Sequence, residues 1–396
     1  MATCGGIEAR ATGRDGRDGR GNTAAGRGGT EGTARTVVAA GSGEVSFEEI
    51  GGWPGVLARL VSGGDLTAAE SAAALGQVLS GEATAAQIAA FVTALRAKGE
   101  TVDEMAGLVR SMLSHSEVVE AEGDLLDTCG TGGDRSGTVN VSTIAAFIAA
   151  GAGVRICKHG GRAASSAAGS ADVLEALGVV IDLGPMGVER CIAEAGMGFC
   201  FAPRYHPAMR HAAPVRRELG IPTVFNFLGP LANPARVRYQ VLGVSDPAMG
   251  EKMLGVLAAN GTRRAMVVHG AGGLDELSTI GPSSVIELSA SGEVLHYRVD
   301  ASSLGLPRAG IEDLRGGDAG ENAVALRRVL AGEAGAKRDI AVLNAAAALV
   351  VTGMALDLVA GVEIACRSID EGNAQGVLDA LVRVSREAAT AEAGYS

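Results

Sequence analysis

The sequence predicts an α/β protein with a small N-terminal helical domain and a larger α/β domain. Helix-capping signals repeat over residues 53–119, which predicts a group of packed helices. From Asp124 onward, short apolar segments alternate with helical segments, which is typical of an α/β domain and is expected over residues 122–392. A chain of 396 residues, of which 47% are hydrophobic, is long enough to bury two cores.

The first 45 residues are expected to be disordered. They are mostly Gly, Arg, Thr and Ala, with almost no large apolar side chain. Burial therefore cannot offset the conformational entropy that ordering would remove. A transit peptide is the alternative for this arginine-rich segment, and the acidic residues Glu8, Asp15 and Asp18 count against it.

Charge and composition exclude several classes of protein. The formal net charge of −11 argues against nonspecific nucleic-acid binding. The sequence contains no run of 18 apolar residues free of charges and breakers, and its N-terminus lacks the apolar core of a signal peptide. Six cysteines without a C-x-x-C pair predict free thiols in a reducing compartment. We therefore expect a cytoplasmic protein that binds neither nucleic acid nor membrane.

Three helices of the N-terminal domain are predicted to begin with a capping box, a threonine followed three residues later by Glu or Gln. The boxes are Thr67–Glu70, Thr84–Gln87 and Thr101–Glu104. Gly81 and Gly99 follow the first two apolar stretches, as residues just beyond a helix end do. The default role of these helices is packing.

Short apolar runs predict the strands of the larger domain. The runs lie at residues 154–156, 179–181, 198–201 and 265–269. Two further runs, joined at Ser-Gly-Glu, predict a hairpin of residues 284–288 and 294–299. The periodicity of residues 339–352 predicts a core helix, with two more helices after it.

A glycine-rich loop, Asp-Thr-Cys-Gly-Thr-Gly-Gly-Asp, ends at Asp134. Its glycines carry no side chains, so that backbone N–H groups can approach an anion closely. Asn140, Ser142 and Thr143 then open an apolar helix over residues 144–150. Because a helix start carries unpaired N–H groups and partial positive charge, this segment is suited to phosphate.

A second loop adds cationic and hydroxyl groups. Lys158 and Arg162, in the segment Lys-His-Gly-Gly-Arg, are expected to bring mobile positive charge. Ser165, Ser166 and Ser170 supply hydroxyl donors, and Ser170 stands where an N-cap belongs. Two helix starts with a basic loop between them indicate a ligand with more than one phosphate group.

Each of these pieces alone is also typical of an ordinary tight turn. The first loop is not a Walker A loop, because no Gly-Lys-Ser/Thr follows its glycines. It also lacks the G-x-G-x-x-G spacing of the dinucleotide fingerprint. The combination of pieces, in this order, carries the prediction.

Two further sets of residues leave alternatives open. His206 and Arg216 lie ten residues apart and could share one face of a continuous helix, although an arginine there is also typical of a solvated face. Asp275 and Glu276 follow a predicted strand and a glycine turn, and could hold a hard cation or form an exposed acidic turn. His269, at the end of that strand, is expected to be structural.

Together these motifs resemble the anthranilate phosphoribosyltransferase family from about Trp53 to the C-terminus. The segments that carry the resemblance are 127–134, 158–178, 204–217, 225–234 and 275–276. The resemblance implies a central mixed sheet flanked by helices. It also implies that residues 203–223 pack on the helical domain and that this domain forms a homodimer interface.

The family resemblance implies transfer of the phosphoribosyl group from phosphoribosyl diphosphate (PRPP) to anthranilate. The products would be N-(5-phosphoribosyl)anthranilate and diphosphate, in the second step of tryptophan biosynthesis from chorismate. The expected donor-binding residues are Gly130, Gly133, Asp134, Thr138, Asn140, Ser142, Thr143, Lys158, His159, Gly160, Gly161, Arg162, Ala163, Ala164, Ser165, Ser166 and Ser170. The expected acceptor-binding residues are Gly130, His206 and Arg216.

Mg²⁺, at two ions per subunit, is expected at Ser142, Asp275 and Glu276, where it would neutralise the diphosphate. No residue is assigned as a catalytic acid or base, because the amine of anthranilate is a neutral nucleophile. Catalysis is expected to rest on positioning and on charge stabilisation.

Two positions depart from the family pattern. Gly161 stands where the family has an asparagine whose amide touches the acceptor, and Arg135 stands where a small residue is usual. Gly161 therefore motivates an alternative, a paralogue that acts on another aromatic amine. A nonenzymatic nucleic-acid-binding relative is a third hypothesis, and the acidic charge and the intact Asp275–Glu276 pair speak against it. Nucleoside phosphorylases share the architecture, but the two loop segments fit the transferase better.

Overall fold

One mixed sheet organises the larger domain of the computed structural model, which describes residues 45–134, 136–163 and 167–394. Among these residues, seven strands lie in the order β3-β2-β1-β4-β5-β6-β7. The strands are β1 Leu126–Gly130, β2 Ile156–Gly160, β3 Met197–Phe201, β4 Tyr239–Gly243, β5 Arg264–His269, β6 Ser283–Leu288 and β7 Val294–Val299.

The first five strands of the sheet run parallel, and β6 and β7 are antiparallel to their neighbours. The register pairs Gly130 of β1 with Gly243 of β4, and Gly160 of β2 with Phe201 of β3. Parallel strands end at the same edge of a sheet, which is where open α/β folds bind ligands. The loops after β1, β2 and β5 therefore all leave from one edge.

Helices cover the sheet and form the N-terminal bundle. The bundle contains α1 Gly52–Val61, α2 Ala68–Leu79, α3 Ala85–Lys98 and α4 Val102–Ser114. The later helices are α5 Val141–Gly151, α6 Ser170–Leu177, α7 Pro185–Ala195, α8 Ala202–Tyr205, α9 Ala213–Leu219, α10 Phe225–Leu228, α11 Gly250–Ala259, α12 Ala319–Leu330, α13 Ala336–Val351, α14 Leu358–Asp370 and α15 Asn373–Gly394. Short 3₁₀ helices include Pro207–His211 and Ile311–Leu314.

The three predicted capping boxes are confirmed at the starts of α2, α3 and α4. In each box the threonine side chain accepts a hydrogen bond from the N–H three residues later, and the Glu or Gln side chain accepts one from the threonine N–H. Gly81 and Gly99, with φ of +79° and +89°, follow α2 and α3 in a conformation that favours glycine. Local hydrogen bonding thus sets these boundaries.

The bundle core extends into the rest of the chain. Ala212 and Val215, from the segment that the resemblance places on the bundle, belong to the same apolar cluster as Trp53. That cluster also includes Leu242 of β4 and Val267 of β5, so it covers one face of the sheet. A second apolar cluster on the opposite face contains α5 and α13.

Several sequence predictions are corrected by the structure. Residues 179–181 are not a strand, and Val180 donates its backbone N–H to Ser385 Oγ (3.1 Å) of α15 instead of to a neighbouring strand. The predicted strand at 154–156 begins only at Ile156. Strand β4, in the middle of the sheet, was not predicted.

Some expectations fall on parts of the chain that the structure does not describe. The predicted disorder of residues 1–45 lies outside the described residues except at Val45, as do Arg135, Ala164, Ser165 and Ser166. Within the described part of the chain, no helix combines the length and apolarity needed to cross a membrane.

Candidate functional site

The glycine loop after β1 lies against the acidic pair that follows β5. A Cβ atom added to Gly130 would lie only 2.3 Å from Oδ2 of Asp275, so glycine is required for this approach. The N–H of Gly132 donates a hydrogen bond to the same oxygen (2.7 Å). Gly132 and Gly133 have φ of +68° and +84°, which few other residues adopt. The structure thus brings together two motifs that are more than a hundred residues apart.

The acidic pair is not an exposed turn, and that alternative is wrong. Asp275 is 9% exposed, and Oε2 of Glu276 is buried without a hydrogen-bond partner among the described residues. Burial, reinforced by the carboxylate of Asp134, raises the pKa of Asp275 to about 6. Burial also raises the pKa of Glu276 well above its ordinary value, Asp275 and Asp134 raise it further, and Lys158 opposes them. Two neighbouring buried carboxylates that repel each other favour a cation that neutralises their charge.

The pair lines a small cavity of about 10 Å³ together with Ser142, Thr128 and Asn344. The described residues contain no cluster of three or more His, Cys, Asp or Glu side chains arranged for a metal. A cation here would therefore take two carboxylates and a hydroxyl, and complete its shell with oxygens of ligand or water. Such an all-oxygen set suits a hard cation such as Mg²⁺.

Lys158 is fixed, which corrects the expectation that it is mobile. Its side chain is 2% exposed. Its Nζ donates hydrogen bonds to the carbonyl of Thr128 and to Ser142 Oγ, the latter at 3.3 Å. Its charge therefore acts on Asp127 and Glu276 from a set position, and opposes the rise in pKa that burial causes in both carboxyls.

The start of α5 has no side-chain cap. Asn140 occupies the N-cap position, but its Nδ2 donates to the carbonyl of Ala168 (3.2 Å) and its Oδ1 is buried without a partner. Oγ1 of Thr143 is also buried without a partner. The N–H of Val141 donates to the carbonyl of Val139 (2.7 Å) and the N–H of Thr143 to that of Asn140 (3.0 Å), which leaves the Thr143 hydroxyl as a donor for an anion. The prediction of a phosphate-suited helix start therefore gains a second support in unpartnered polar atoms.

The two ends of the glycine loop differ in how they are held. Ser136 donates from its Oγ to Oδ2 of Asp134 (2.6 Å) and lies 3.2 Å from Oγ1 of Thr138. Ser245, after β4, donates to the carbonyl of Gly132 (3.1 Å). Neither serine was predicted as a site residue. Ser136 lies two residues after Asp134 and two before Thr138, and this position between two predicted site residues is the signal that could have identified it.

Arg162 is the second cationic side chain of the site, and its guanidinium already forms ion pairs. Its guanidinium pairs with Asp172 (2.9 Å) and Glu175 (2.8 Å) of α6, although its side chain is 50% exposed. It also lies over the ring of Phe201. Donor binding by Arg162 would require these ion pairs to be exchanged, so the charge of this side chain is available only after rearrangement.

The loop around Arg162 is held by Asp172, whose Oδ2 accepts the N–H groups of Ala163 and Gly169, both at 2.9 Å. Gly169, not Ser170, is the N-cap of α6, and Ser170 is the first helical residue. A Cβ added to Gly160 would lie 2.2 Å from Ser170 Oγ. A Cβ added to Gly161 would meet no atom of the described residues within 4 Å, so none of them fills the space beside this glycine.

His206 contacts the site through the ring of His159. Their rings lie edge to face at 5.1 Å, and both side chains are buried. His206 Nε2 lies 2.9 Å from the carbonyl of Ala232, and His159 Nδ1 lies 3.2 Å from that of Gly229. Burial and the neighbouring His206 lower the pKa of His159 to about 3, and burial lowers that of His206. Both imidazoles are therefore neutral at neutral pH.

His206 and Arg216 do not share one helix, which corrects the expectation of a continuous face. Pro207 ends α8, and the 3₁₀ helix Pro207–His211 separates it from α9. Arg216 is half-buried over the ring of Phe225, at 5.3 Å from its Cζ to the ring centre. None of the described acidic side chains forms an ion pair with it. Burial lowers the pKa of Arg216.

A buried carboxylate below the two loops was not predicted as a site residue. Asp127 accepts hydrogen bonds from Asn233 Nδ2 (2.9 Å) and from the N–H of His159 (3.3 Å). Burial raises its pKa to about 6. Asn233 also donates to the carbonyl of Cys157 (2.8 Å), so this network ties β1 to β2. Asp127 opens the glycine motif, which is the signal that could have found it.

Family comparisons agree with this arrangement. A family model described as "Glycosyl transferase family, a/b domain" matches residues 122–375, and another described as "Glycosyl transferase family, helical bundle domain" matches residues 54–116. Anthranilate phosphoribosyltransferase from Roseiflexus castenholzii is 53% identical over 328 residues, covering 83% of this chain and 96% of that protein. The one from Chloroflexus aggregans is 52% identical over 331 residues, covering 83% and 97%.

Solved structures give the same result. Anthranilate phosphoribosyltransferase from Thermus thermophilus matches with a TM-score of 0.79 and 41% identity, over 84% of this chain and 99% of that chain. The Saccharomyces cerevisiae enzyme in complex with PRPP and Mg matches with a TM-score of 0.78 and 29% identity, over 85% and 98%. Sequence, fold and strand-end site thus agree, and the chain belongs to the anthranilate phosphoribosyltransferase family.

Proposed function

We propose that the protein transfers the phosphoribosyl group of PRPP to anthranilate, with release of diphosphate, in tryptophan biosynthesis. One observation carries this proposal. A buried, unpartnered carboxylate oxygen of Glu276 lies beside Asp275 and the glycine loop, in a chain 53% identical to an anthranilate phosphoribosyltransferase. The alternative of a different aromatic amine is not favoured, because the similar relatives all carry the anthranilate activity in their names.

The donor is proposed to bind along the strand-end loops. The hydroxyl of Thr143 at the start of α5 and the N–H of Gly133 would donate to its anionic oxygens, while the N–H of Gly132 stays bonded to Asp275. Lys158 would hold positive charge beneath them, at a position set by its hydrogen bonds to Thr128 and Ser142. The remaining donor-binding residues are proposed as the sequence predicts them, including Asp134, Thr138, Asn140 and Thr143.

Mg²⁺ is proposed to bind at Ser142, Asp275 and Glu276, as two ions per subunit. The yeast relative is described in complex with PRPP and Mg. The residues fit the ion, because two carboxylates with raised pKa values and a hydroxyl line one small cavity, and Oε2 of Glu276 is left without a partner. When bound, the metal would neutralise the departing diphosphate.

Anthranilate is proposed to bind at Gly130, His206 and Arg216. Arg216 is half-buried and has no acidic partner among the described side chains. Its guanidinium can therefore donate hydrogen bonds to the carboxylate of anthranilate. The acceptor amine attacks as a neutral nucleophile, which removes the need for a strong base. The neutral imidazoles of His159 and His206 add no positive charge near the developing oxocarbenium ion.

We further propose a homodimer that assembles through the helical bundle, in a reducing cytoplasmic compartment. Val61, at the end of α1, is 78% exposed, and such a large apolar side chain at the bundle surface suits an interface. The five cysteines among the described residues are free thiols, which is compatible with a reducing compartment. Sedimentation velocity on the wild-type protein tests the dimer, and a single monomeric species would contradict it.

The function is tested by the loss of anthranilate fluorescence on mixing the purified protein with PRPP and Mg²⁺. The expected result is rapid loss at micromolar anthranilate that is abolished by chelation of the metal. Absence of loss, with PRPP still binding in calorimetry, would point to a different acceptor. Absence of both binding and turnover would overturn the assignment of the site.

A further inference from the structure

One buried polar side chain at the site is unexplained by the proposed ligand contacts. Asn344 lies in the middle of α13, between Leu343 and Ala345, and is 5% exposed. The neighbouring positions along this helix are almost entirely apolar and buried. An amide in such a setting is costly unless its hydrogen bonds are made, so its partners indicate its role.

Asn344 makes those bonds to a single residue of the metal loop and to its own helix. Its Oδ1 accepts the N–H of Leu277 (2.9 Å), and its Nδ2 donates to the carbonyl of Leu277 (2.9 Å). The second amide hydrogen is donated to the carbonyl of Ile340 (2.9 Å), one turn earlier. Both hydrogens of the amide are therefore used. The paired contact fixes the backbone of Leu277 in position and in orientation.

Leu277 directly follows Glu276, in a segment that belongs to no helix or strand. The other end of the loop is held by the N–H of Gly270, which donates to the carbonyl of Leu274 (2.8 Å). Asp275 itself is held by Gly132. The carboxylate of Glu276 is hydrogen-bonded to the backbone of Ser142, and its Oε2 has no partner among the described residues. The position from which this side chain enters the cavity depends on the backbone on either side of it.

We propose that Asn344 is a positioning residue for the Asp275–Glu276 pair. By clamping Leu277, it keeps the carboxylate of Glu276 directed into the cavity that Asn344 also lines. It contacts no substrate, and acts through the two carboxylates. This inference rests on the proposed function, in which Asp275 and Glu276 bind Mg²⁺.

A purely structural role is the competing explanation, in which Asn344 only fastens α13 to the loop. The two roles differ in one measurable quantity, the Mg²⁺ concentration that half-saturates PRPP binding. Residues that orient metal ligands typically change metal affinity by about 10–100-fold when they are removed. A structural contact lowers thermal stability and leaves that concentration unchanged at temperatures well below the melting point.

The test compares Asn344→Leu with wild type and with Val342→Ala, a core variant on the same helix. PRPP binding is measured by calorimetry over a series of Mg²⁺ concentrations, without anthranilate. We expect the half-saturating Mg²⁺ concentration to rise about tenfold or more in Asn344→Leu and to stay within twofold in Val342→Ala. Excess Mg²⁺ should restore most of the PRPP binding, and the KM for anthranilate should change less than twofold.

An unchanged Mg²⁺ requirement in Asn344→Leu would overturn the positioning role while leaving the proposed function intact. A wild-type protein that binds PRPP without any metal dependence would overturn both together. If Asn344→Leu does not fold, Asn344→Ser takes its place, because serine is smaller and cannot bridge both polar groups of Leu277. The same rise is expected in Asn344→Ser, and its absence there would equally overturn the proposal.

Discussion

Two glutamates with buried carboxylate oxygens, one in the helical bundle and one at the strand ends, are treated in opposite ways. In the bundle, Glu104 is fully buried and its oxygens are all used. Its Oε1 accepts the N–H of Leu66 (2.9 Å), and its Oε2 accepts the N–H of Thr101 (2.8 Å) and the Nζ of Lys98 (2.9 Å). This carboxylate is complete within the protein.

At the strand ends, Oε2 of Glu276 has no partner, and the nearest charges include two further acids. Asp275 and Asp134 disfavour its ionisation, and Lys158 is the charged side chain that favours it. A buried carboxylate oxygen without a hydrogen-bond partner is costly, so its presence indicates a ligand that completes it. An incomplete set of partners, more than burial itself, therefore distinguishes a binding site from a structural ion pair.

The largest effect is expected from removing the charges of the incomplete pair. Asp275→Asn with Glu276→Gln should lower kcat/KM by about 10³-fold or more, equivalent to about 4 kcal/mol of transition-state stabilisation. The melting temperature should stay the same or rise, because repulsion between the buried acids is removed. Circular dichroism melting and the fluorescence assay measure the two quantities. Mg²⁺-dependent turnover at the wild-type rate would sink the metal assignment.

The opposite pattern is expected for the complete carboxylate. Glu104→Gln should lower the free energy of unfolding by about 3 kcal/mol, because Lys98 loses its buried charged partner and keeps only the exposed Asp65. Activity at 25 °C should stay within twofold of wild type. Urea unfolding measures the loss, and Glu82→Gln, at an exposed glutamate of the same bundle, is the control. A stability equal to that of the control would show that the bundle pair contributes nothing.

Two arginines differ in the same way as the two glutamates. Arg162 is ion-paired, and Arg216 has no ion pair to the described acids. Arg216→Ala should raise the KM for anthranilate roughly 30-fold, which corresponds to about 2 kcal/mol for a charged hydrogen bond. The KM for PRPP should change less than twofold. Arg217→Ala, at the exposed neighbour on α9, is the matched control. Equal effects on both KM values would remove Arg216 from the acceptor site.

His159 extends the comparison to pH, because its Nε2 is also buried without a partner. Its pKa is about 3 when folded and near 6.5 when unfolded, so below pH 6.5 only the unfolded state takes up the proton. Stability is therefore lost as pH falls, by up to about 1.4 kcal/mol per pH unit. Asp127, with its raised pKa, acts in the opposite direction. The difference between wild type and His159→Gln isolates the histidine, and parallel stability curves from pH 6 to 4 would contradict its lowered pKa.

The smallest effect is expected at Gly161, where open space replaces a side chain. Gly161→Asn should lower the KM for anthranilate about fivefold, the value of one added neutral hydrogen bond. Gly161→Ala adds a Cβ without an amide and should leave this KM unchanged. Steady-state kinetics compares the two. A higher KM in Gly161→Asn would show that the open space is needed by the acceptor.

Local interactions explain what could be predicted from the sequence. The capping boxes join residues three apart, and they mark the starts of α2, α3 and α4 as predicted. The helix break at Pro207 could also have been predicted, because proline disfavours helix at the residue before it. The residue types and spacing of the glycine loop and the acidic pair were sufficient to identify both as candidate site residues.

Contacts between distant residues explain what could not be predicted. Residues 179–181 form an apolar run like a strand, but α15, about two hundred residues later, supplies the hydroxyl of Ser385 that bonds Val180. The pairing of Arg162 with α6 and the burial of Lys158 depend likewise on the folded arrangement of side chains. The unpartnered oxygen of Glu276 is invisible in the sequence, because only the fold decides what surrounds it.

The apolar cluster shared by the bundle and the sheet has a consequence during synthesis on the ribosome. The four bundle helices emerge first, yet their cluster is completed by Leu242, Val267 and Leu288. At about 5–20 residues per second, the last of these leaves roughly 10 to 30 s after α4. The nascent bundle therefore presents an uncovered apolar surface to solvent for that interval. A ribosome-bound holdase would have its natural substrate there, while the residues of the strand-end site are still being synthesised.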